Sequence, residues 1–285
     1  MWNLSAAANG ASSAHRVSMA EPAPHWLVVD PSAQTGARNM RCDEETARAL
    51  QHALPGDAHA TLRLYRWNPW AISLGYHQSA DDLDAALCAR DGIDIVRRPT
   101  GGRAILHAEE LTYCLVMEAG RRSVLEVYND ISRALVRGLQ LFGVPVTLQK
   151  AQPNFAETYR QASSIPCFTS SARYEIEWGG RKLVGSAQRR FPDGERDVVL
   201  QHGSILCGPA HRRLVDYLRI ADPAVRDQIR KEMAEKTVEL SAILGTSPDV
   251  GKLAACIRRG FEMEWAIAFD IRPKNHHIPS AEKLP

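Results

Sequence analysis

Three segments of the chain place reactive side chains next to residues that leave room for a bound group. The first is Ser163-Ser164-Ile165-Pro166-Cys167-Phe168, a loop by its composition. A loop thiol near cationic side chains ionises readily, and the thiolate can take an acyl group as a thioester that an amine later attacks. Of the six cysteines only Cys167 is placed in this way. Cys88 and Cys256 sit in helical patterns and Cys114 and Cys207 in or beside strands, where a small buried hydrophobe is the ordinary role. The second segment is Arg97-Arg98-Pro99-Thr100-Gly101-Gly102-Arg103, which leads on to His107. Two consecutive glycines let backbone N–H groups approach a ligand, and Arg97, Arg98 and Arg103 add positive charge, which suits an anionic or carbonyl-bearing group. The loop lacks the spacing and the lysine of a G-x-x-x-x-G-K-[ST] nucleotide site. The third segment is Lys182-Leu183-Val184-Gly185-Ser186-Ala187, a strand whose Gly185, Ser186 and Ala187 leave a narrow slot for a ligand tail. Simple alternation puts Lys182 on one face with every second residue. His107 and His202 are each able to orient a ligand or move a proton. Taken singly, a strand lysine is usually solvated and a loop histidine usually structural; their joint occurrence is what argues for a site.

These side chains need a scaffold. Trp26 to Val29 reads as a strand and Asn39 to Leu54 as a helix, with Met40, Ala47, Leu50 and Leu54 at helical spacing. Thr61 to Trp67 alternates apolar and basic residues like a half-buried strand, and Ala71 to Leu74 is expected to return beside it as a hairpin. A helix over Asp81 to Arg90, strands at Ile93 to Val96 and Glu110 to Met117, and a long helix over Val124 to Phe142 follow. Arg173 to Trp178, the turn Gly179-Gly180 and Lys182 to Arg189 form the clearest hairpin. Val198 to Leu206 is a further strand, and Ala224 to Met233 and Pro248 to Ile267 are helices, the second with Ser247 as its cap. Hairpins outnumber strand–helix alternations. The expectation is therefore an α/β (α+β) fold with a mixed, largely antiparallel sheet flanked by helices.

A 285-residue chain that is 45% hydrophobic can bury a large core, and a net charge of +2 with no block of one sign gives no support for nucleic acid. Scattered cysteines without a C-x-x-C pair, no apolar run of about 20 residues and no export signal point to the cytoplasm, away from membranes. Residues 1–24 are Ala- and Ser-rich and expected to be disordered, with Met19 as an alternative start. One catalytic domain is expected over residues 25–270, helical from about 210 to 270, before a tail at 271–285. No His, Cys or carboxylate cluster has ligand spacing, so neither a metal nor another cofactor is expected.

Together the segments resemble the lipoate and octanoate transferases and ligases, a family related to biotin protein ligase. Arg97 to His107 with Glu110-Leu111-Thr112-Tyr113 looks like its lipoyl-pocket loop, Arg181 to Gln188 like its lysine strand and Gln201-His202-Gly203-Ser204 like the strand that follows. The helix with Asp43-Glu44 is a less specific match. Cys167-Phe168 before the lysine strand, and Arg103 where the ligases carry a third glycine, resemble the LipM-type octanoyltransferases in particular. That resemblance implies a biotin/lipoate protein ligase-like catalytic domain with Cys167 as nucleophile and Lys182 as its catalytic partner. It implies substrate contacts from Arg97, Arg98, Thr100, Gly101, Gly102, Arg103, His107, Gly185, Ser186, Ala187 and His202. It further implies an acyl carrier protein as octanoyl donor, and a lipoyl domain or glycine cleavage H-type protein as acceptor. The alternative within the family is an ATP-dependent lipoate–protein ligase that forms lipoyl-AMP and needs no cysteine.

Overall fold

The computed structural model describes residues 25–54, 59–150, 174–192 and 196–272. The segment 1–24, the segment that holds Cys167 and the residues beyond 272 lie outside them. The chain runs β1 (His25–Gln34), α1 (Gly36–Gln51), β2 (His59–Trp67), β3 (Ala71–Leu74), α2 (Ala85–Arg90), β4 (Asp94–Arg97), β5 (Ile105–His107) and β6 (Glu110–Glu118). There follow α3 (Val124–Leu141), β7 (Thr147–Lys150), β8 (Tyr174–Trp178), β9 (Arg181–Phe191) and β10 (Val198–Leu206). The last part holds α4 (Pro223–Lys236), α5 (Leu240–Leu244), α6 (Val250–Trp265) and β11 (Phe269–Arg272). Among the described residues, eight strands form one sheet in the order β11-β1-β2-β6-β10-β9-β8-β7, and β4-β3-β5 form a second. β1 is parallel to β2 and to β11, β3 is parallel to β4, and the remaining pairs are antiparallel. The mixed, largely antiparallel sheet expected from the hairpins is thus present.

Period-2 alternation decides what each face of the large sheet buries. On β6, Leu111, Tyr113, Leu115 and Met117 join Ile131, Leu135 and Leu139 of α3 and Leu253, Ile257 and Phe261 of α6 in one core. Cys114 and Val116 face the other way, onto Met40, Ala47 and Leu50 of α1. A strand covered on both faces reads as a nearly continuous apolar run, as Glu110 to Glu118 does. α3 and α6 approach closely where both carry glycine: a Cβ on Gly260 would lie 2.4 Å from the Gly138 nitrogen, and one on Gly138 would lie 2.7 Å from the Ile257 Cα. α3 starts with a capping box between Ser123 and Glu126, which satisfies two N-terminal donors.

Several local expectations are corrected. β2 and β3 are not a hairpin, because β1 and β6 already occupy both edges of β2; β3 turns into the small sheet between β4 and β5. Nor is β2 half-buried: Arg63 and Tyr65 are buried, since the face opposite Leu62 and Leu64 lies under α1. α1 begins at Gly36 with Thr35 as its cap. The cap of α6 is Asp249 rather than Ser247, because the Asp249 carboxylate accepts from Lys252 N. The helix expected over Asp81 to Arg90 divides into a short 3-10 turn and α2, because the Asp84 carboxylate accepts from Leu87 N and starts a new helix there. β7 and β11 carry no clear sequence signal: each has four residues, too few to set a period.

Two measurements follow. Gly260→Ala should lower stability by about 1–3 kcal/mol in urea denaturation, because the added methyl forces α3 and α6 apart; an unchanged midpoint would mean the crossing is loose. His211 is buried, with Nδ1 3.2 Å from the Gly208 carbonyl and Nε2 2.9 Å from Thr237 Oγ1, and burial pushes its pKa down to about 4. Between pH 6.5 and 4 the unfolded chain binds a proton that the folded chain does not, so stability falls as pH falls through that window, by roughly 3 kcal/mol from this group. His211→Gln should flatten the dependence of unfolding free energy on pH across that same window; an equally steep variant would assign the slope elsewhere.

Candidate active site

The antiparallel pairing of β9 with β10 sets Ala187 opposite His202 and Gly185 opposite Ser204. These residues, with Ser186 and Gly203, form the floor of a slot. Met40 of α1, Tyr65 and Trp67 of β2 and Ile105 of β5 make its apolar wall, and Arg98, His107 and Thr112 complete the lining. Between these residues a cavity of about 20 Å³ is open, room for about one water. Glycine is required at 203: a Cβ there would lie 2.4 Å from the Gly185 carbonyl oxygen and 2.7 Å from the Tyr113 ring. Tyr113 OH donates to Ser186 Oγ at 2.7 Å and accepts from Gln201 Nε2 at 3.0 Å, which ties the floor to the core beneath.

Two buried carboxylates stand behind the slot. Asp43, on the inner face of α1, accepts from Arg63 on one oxygen and from Tyr65 OH (2.8 Å) and His202 Nδ1–H (3.0 Å) on the other. Burial would push this carboxyl up, but the Arg63 guanidinium, then His202 and Tyr65, hold it below the ordinary carboxylate range. Burial pushes His202 down, against the pull of Asp43, so the ring is neutral at pH 7. A carboxylate only accepts, so the single ring proton sits on Nδ1, and Nε2 accepts from the Thr100 hydroxyl at 2.7 Å. The second carboxylate is Glu110, which accepts from His107 Nδ1 (2.8 Å), Thr112 (2.5 Å) and Ser204 (2.8 Å) on one oxygen. Here too burial works upward, and His107 with the two hydroxyls keeps the group lower than usual. His107 stacks on Trp67 with ring centroids 4.0 Å apart, and its Nε2 lies 2.8 Å from Ser73 Oγ.

Arg98 is the hub of the glycine loop. Its guanidinium donates to the Ser73 carbonyl and hydroxyl, twice to the Gly101 carbonyl and once to the Arg103 carbonyl. The loop also leans on Gly75, where a Cβ would sit 1.9 Å from the Gly102 carbonyl oxygen. Gly102 itself has a φ of 97°, which favours glycine. Arg189 donates to the Pro99 carbonyl from the far side.

The sequence profile of the "lipoyl protein ligase A/B catalytic domain" family matches residues 36–262. The chain belongs to that family. It is similar to "Octanoyltransferase LipM" of Kyrpidia tusciae, with 36% identity over 83% of this chain and 85% of the relative. It is likewise similar to "Octanoyltransferase LipM" of Symbiobacterium thermophilum, with 38% identity over 78% of this chain and 79% of the relative. Among solved structures it shares the fold of a bipartite lipoate protein ligase from Thermoplasma acidophilum, with a TM-score of 0.68, 20% identity and 88% of each chain covered. Lipoate-protein ligase A bound with ATP gives a TM-score of 0.64 at 19% identity, over 88% of this chain and 90% of the other.

Against this family background the residues singled out in the sequence separate into groups. Arg98, His107, Gly185, Ser186, Ala187 and His202 meet at the slot, and Thr100 touches it through His202. Gly101 and Gly102 are exposed on the loop above, and Arg103 is part-buried beside them. Arg97 turns away: its Nη1 donates to the carbonyls of Gly75, Tyr76 and Gln78. Lys182 is buried but does not line the slot. Its expected alternation with Val184 and Ser186 is interrupted, because β9 carries one extra residue between Lys182 and Val184 relative to β8. Cys167 lies outside the described residues. Sequence reasoning missed Asp43, Arg63, Tyr65, Ser73 and Gly75 as parts of the site. The available signal was a carboxylate on the apolar stripe of α1, in register with Met40, Ala47 and Leu50, opposite an arginine on the inner face of a strand. Among the described residues no group of His, Cys, Asp and Glu is arranged to hold a metal ion.

Three described cysteines are unsuited to nucleophilic work. Burial pushes the Cys88 thiol up, Cys207 up to about 12 and Cys114 well above the ordinary range. Iodoacetamide at a pH of about 7.5 should leave all three unmodified in the native protein and label them after denaturation, read by peptide mass mapping. Labelling of Cys114 or Cys207 as fast as the part-exposed Cys42 in the native protein would contradict this packing.

Proposed function

We propose that this chain is a protein N-octanoyltransferase of protein lipoylation. It takes octanoyl from an acyl carrier protein onto Cys167 and passes it to a lysine of a lipoyl domain or a glycine cleavage H-type protein. The observation that carries the reading is identity of 36% and 38% over most of the chain to proteins named octanoyltransferase. The narrow slot with an apolar wall agrees with it, since each methylene buried there contributes about 0.8 kcal/mol. An eight-carbon chain is larger than the open cavity, so the wall must part; Met40, unbranched and flexible, is the side chain best able to yield.

In the first half-reaction the Cys167 thiolate attacks the donor thioester carbonyl, a C–S bond forms, and the carrier thiolate departs as the old C–S bond breaks. In the second, the acceptor amine attacks the enzyme thioester, a C–N bond forms, the amine proton passes to the leaving Cys167 sulfur, and the thiol is restored. Backbone N–H groups of the glycine loop hold the negative charge on the carbonyl oxygen, and Lys182 supplies charge to the thiolate. A place in the cytoplasm goes with this reading and is supported by the free state of the five described cysteines. Among the described residues no helix is long and apolar enough to cross a membrane.

A lipoate–protein ligase is the second reading, favoured only by the fold shared with the ligase structures at about 20% identity. Acyl exchange between thioesters is nearly balanced and needs no ATP, whereas a free carboxylate must be activated. With octanoyl carrier protein and no ATP, mass spectrometry should show a hydroxylamine-sensitive octanoyl adduct on Cys167. Cys167→Ser should abolish transfer, and Lys182→Ala should slow loading of the cysteine severely. Acceptor modification only with free octanoate or lipoate, ATP and magnesium, unaffected by Cys167→Ser, would replace the transferase by the ligase.

A further inference from the structure

The glycine loop has two aspects. Its outward side is open: Gly101 and Gly102 are exposed, nothing lies within 4 Å of where a Gly101 Cβ would be, and among the described residues neither N–H has a protein acceptor. Its inward side is fixed by side chains that face no solvent. Thr100 is fully buried, its carbonyl accepts from Tyr76 N at 2.9 Å, and its hydroxyl is held by His202. His202 is in turn held by Asp43, and Asp43 by Arg63 and Tyr65.

Every bond in that chain has one possible direction. Asp43 is acceptor-only, which puts the imidazole proton on Nδ1; a neutral Nε2 then only accepts, which turns the Thr100 hydroxyl toward it. A hydroxyl rotor that would otherwise sample three wells is thereby locked by a carboxylate on a separate element, α1. We propose that Asp43 is a positioning residue for acyl transfer: through His202 and the Thr100 hydroxyl it fixes the backbone of Gly101 and Gly102 so that their N–H groups stay aimed at the reacting carbonyl oxygen. Of the three relay groups only His202 lines the slot; Asp43 and the Thr100 hydroxyl stand behind it. A donor pair preset in this way stabilises an oxyanion without reorganising, and a displacement of about 1 Å is enough to lose around 100-fold in rate.

The kinetic consequence rests on the octanoyl-transfer reading; the structural one does not, and the test separates them. Thr100→Val keeps shape and removes the hydroxyl; Thr100→Ser keeps the hydroxyl. Amide hydrogen exchange is measured on the full chain without substrate, and loading of Cys167 from octanoyl carrier protein is measured alongside. Thr100→Val should speed exchange of the Tyr76 amide, which is bonded to the Thr100 carbonyl, roughly tenfold or more while the amides of β6 and α3 are unchanged, and should lower kcat for loading about 10- to 100-fold with little change in KM. Thr100→Ser should recover most of both losses. Asp43→Asn should reproduce the Thr100→Val effects; because it strands Arg63, it is paired with Asp43→Asn/Arg63→Met, which removes both charges. Tyr76 exchange and kcat in Thr100→Val equal to wild type, or losses that Thr100→Ser does not recover, would overturn the proposal. If the wild-type chain fails to load an acyl group, the function falls, and the exchange data alone still decide whether Asp43 positions the loop.

Discussion

A carboxylate with no access to water has to be surrounded by donors, and Asp43 is surrounded by three that come from two strands. Arg63 and Tyr65 reach it from β2 and His202 from β10, while the carboxylate itself is carried by α1. Desolvating an ion pair is costly, and well-packed apolar residues in its place are often no less stable. What apolar residues cannot supply is direction. Each hydrogen bond to Asp43 orients its donor, and the orientation of His202 is what the slot receives. α1 is therefore more than a lid over the sheet: it sets the geometry of side chains on two strands.

The same economy is repeated at Glu110, which gathers His107, Thr112 and Ser204 on a single oxygen. Both carboxylates work through Nδ1 of a histidine and leave Nε2 to a hydroxyl, Thr100 in one case and Ser73 in the other. Ser73 connects to Arg98, and Arg98 to the carbonyls of Gly101 and Arg103. The loop thus hangs between two networks whose acidic anchors lie on α1 and β6, elements already fixed by the two cores. Side chains that could do chemistry are kept in place by the packing of residues that cannot.

Much of this was legible in the sequence where period and composition agree. The hairpin at Gly179-Gly180 and the long helix α3 follow from alternation or helical spacing, and strands β6 and β10 from nearly continuous apolar runs. Arg98, Gly185-Ser186-Ala187 and His202, all singled out in the sequence, lie together at the slot, whereas Lys182 does not line it. Legibility failed where tertiary structure gives a residue a meaning that its neighbours do not. Arg63 alternates with leucines like any solvated strand residue, and only the helix packed above it makes its charge an interior one. β3 looks like the return strand of a hairpin until β1 and β6 are seen to fill both sides of β2. Lys182 looks like a member of a regular strand, and a single extra residue breaks the pattern.

The order of strands in the large sheet has a consequence for how the chain reaches this state. β1 lies between β2 and β11, so the first described strand is flanked on one side by the last. β10 joins β6 and β9, and its pairing with β6 also brings together residues far apart along the backbone. Closing long loops must be complete before such pairings are rewarded, and topologies dominated by them fold slowly. During that interval β1 shows an unpaired edge, and an unpaired edge is a template for another chain. The architecture that holds the slot so firmly is for the same reason one that leaves an edge open until its last strand is in place.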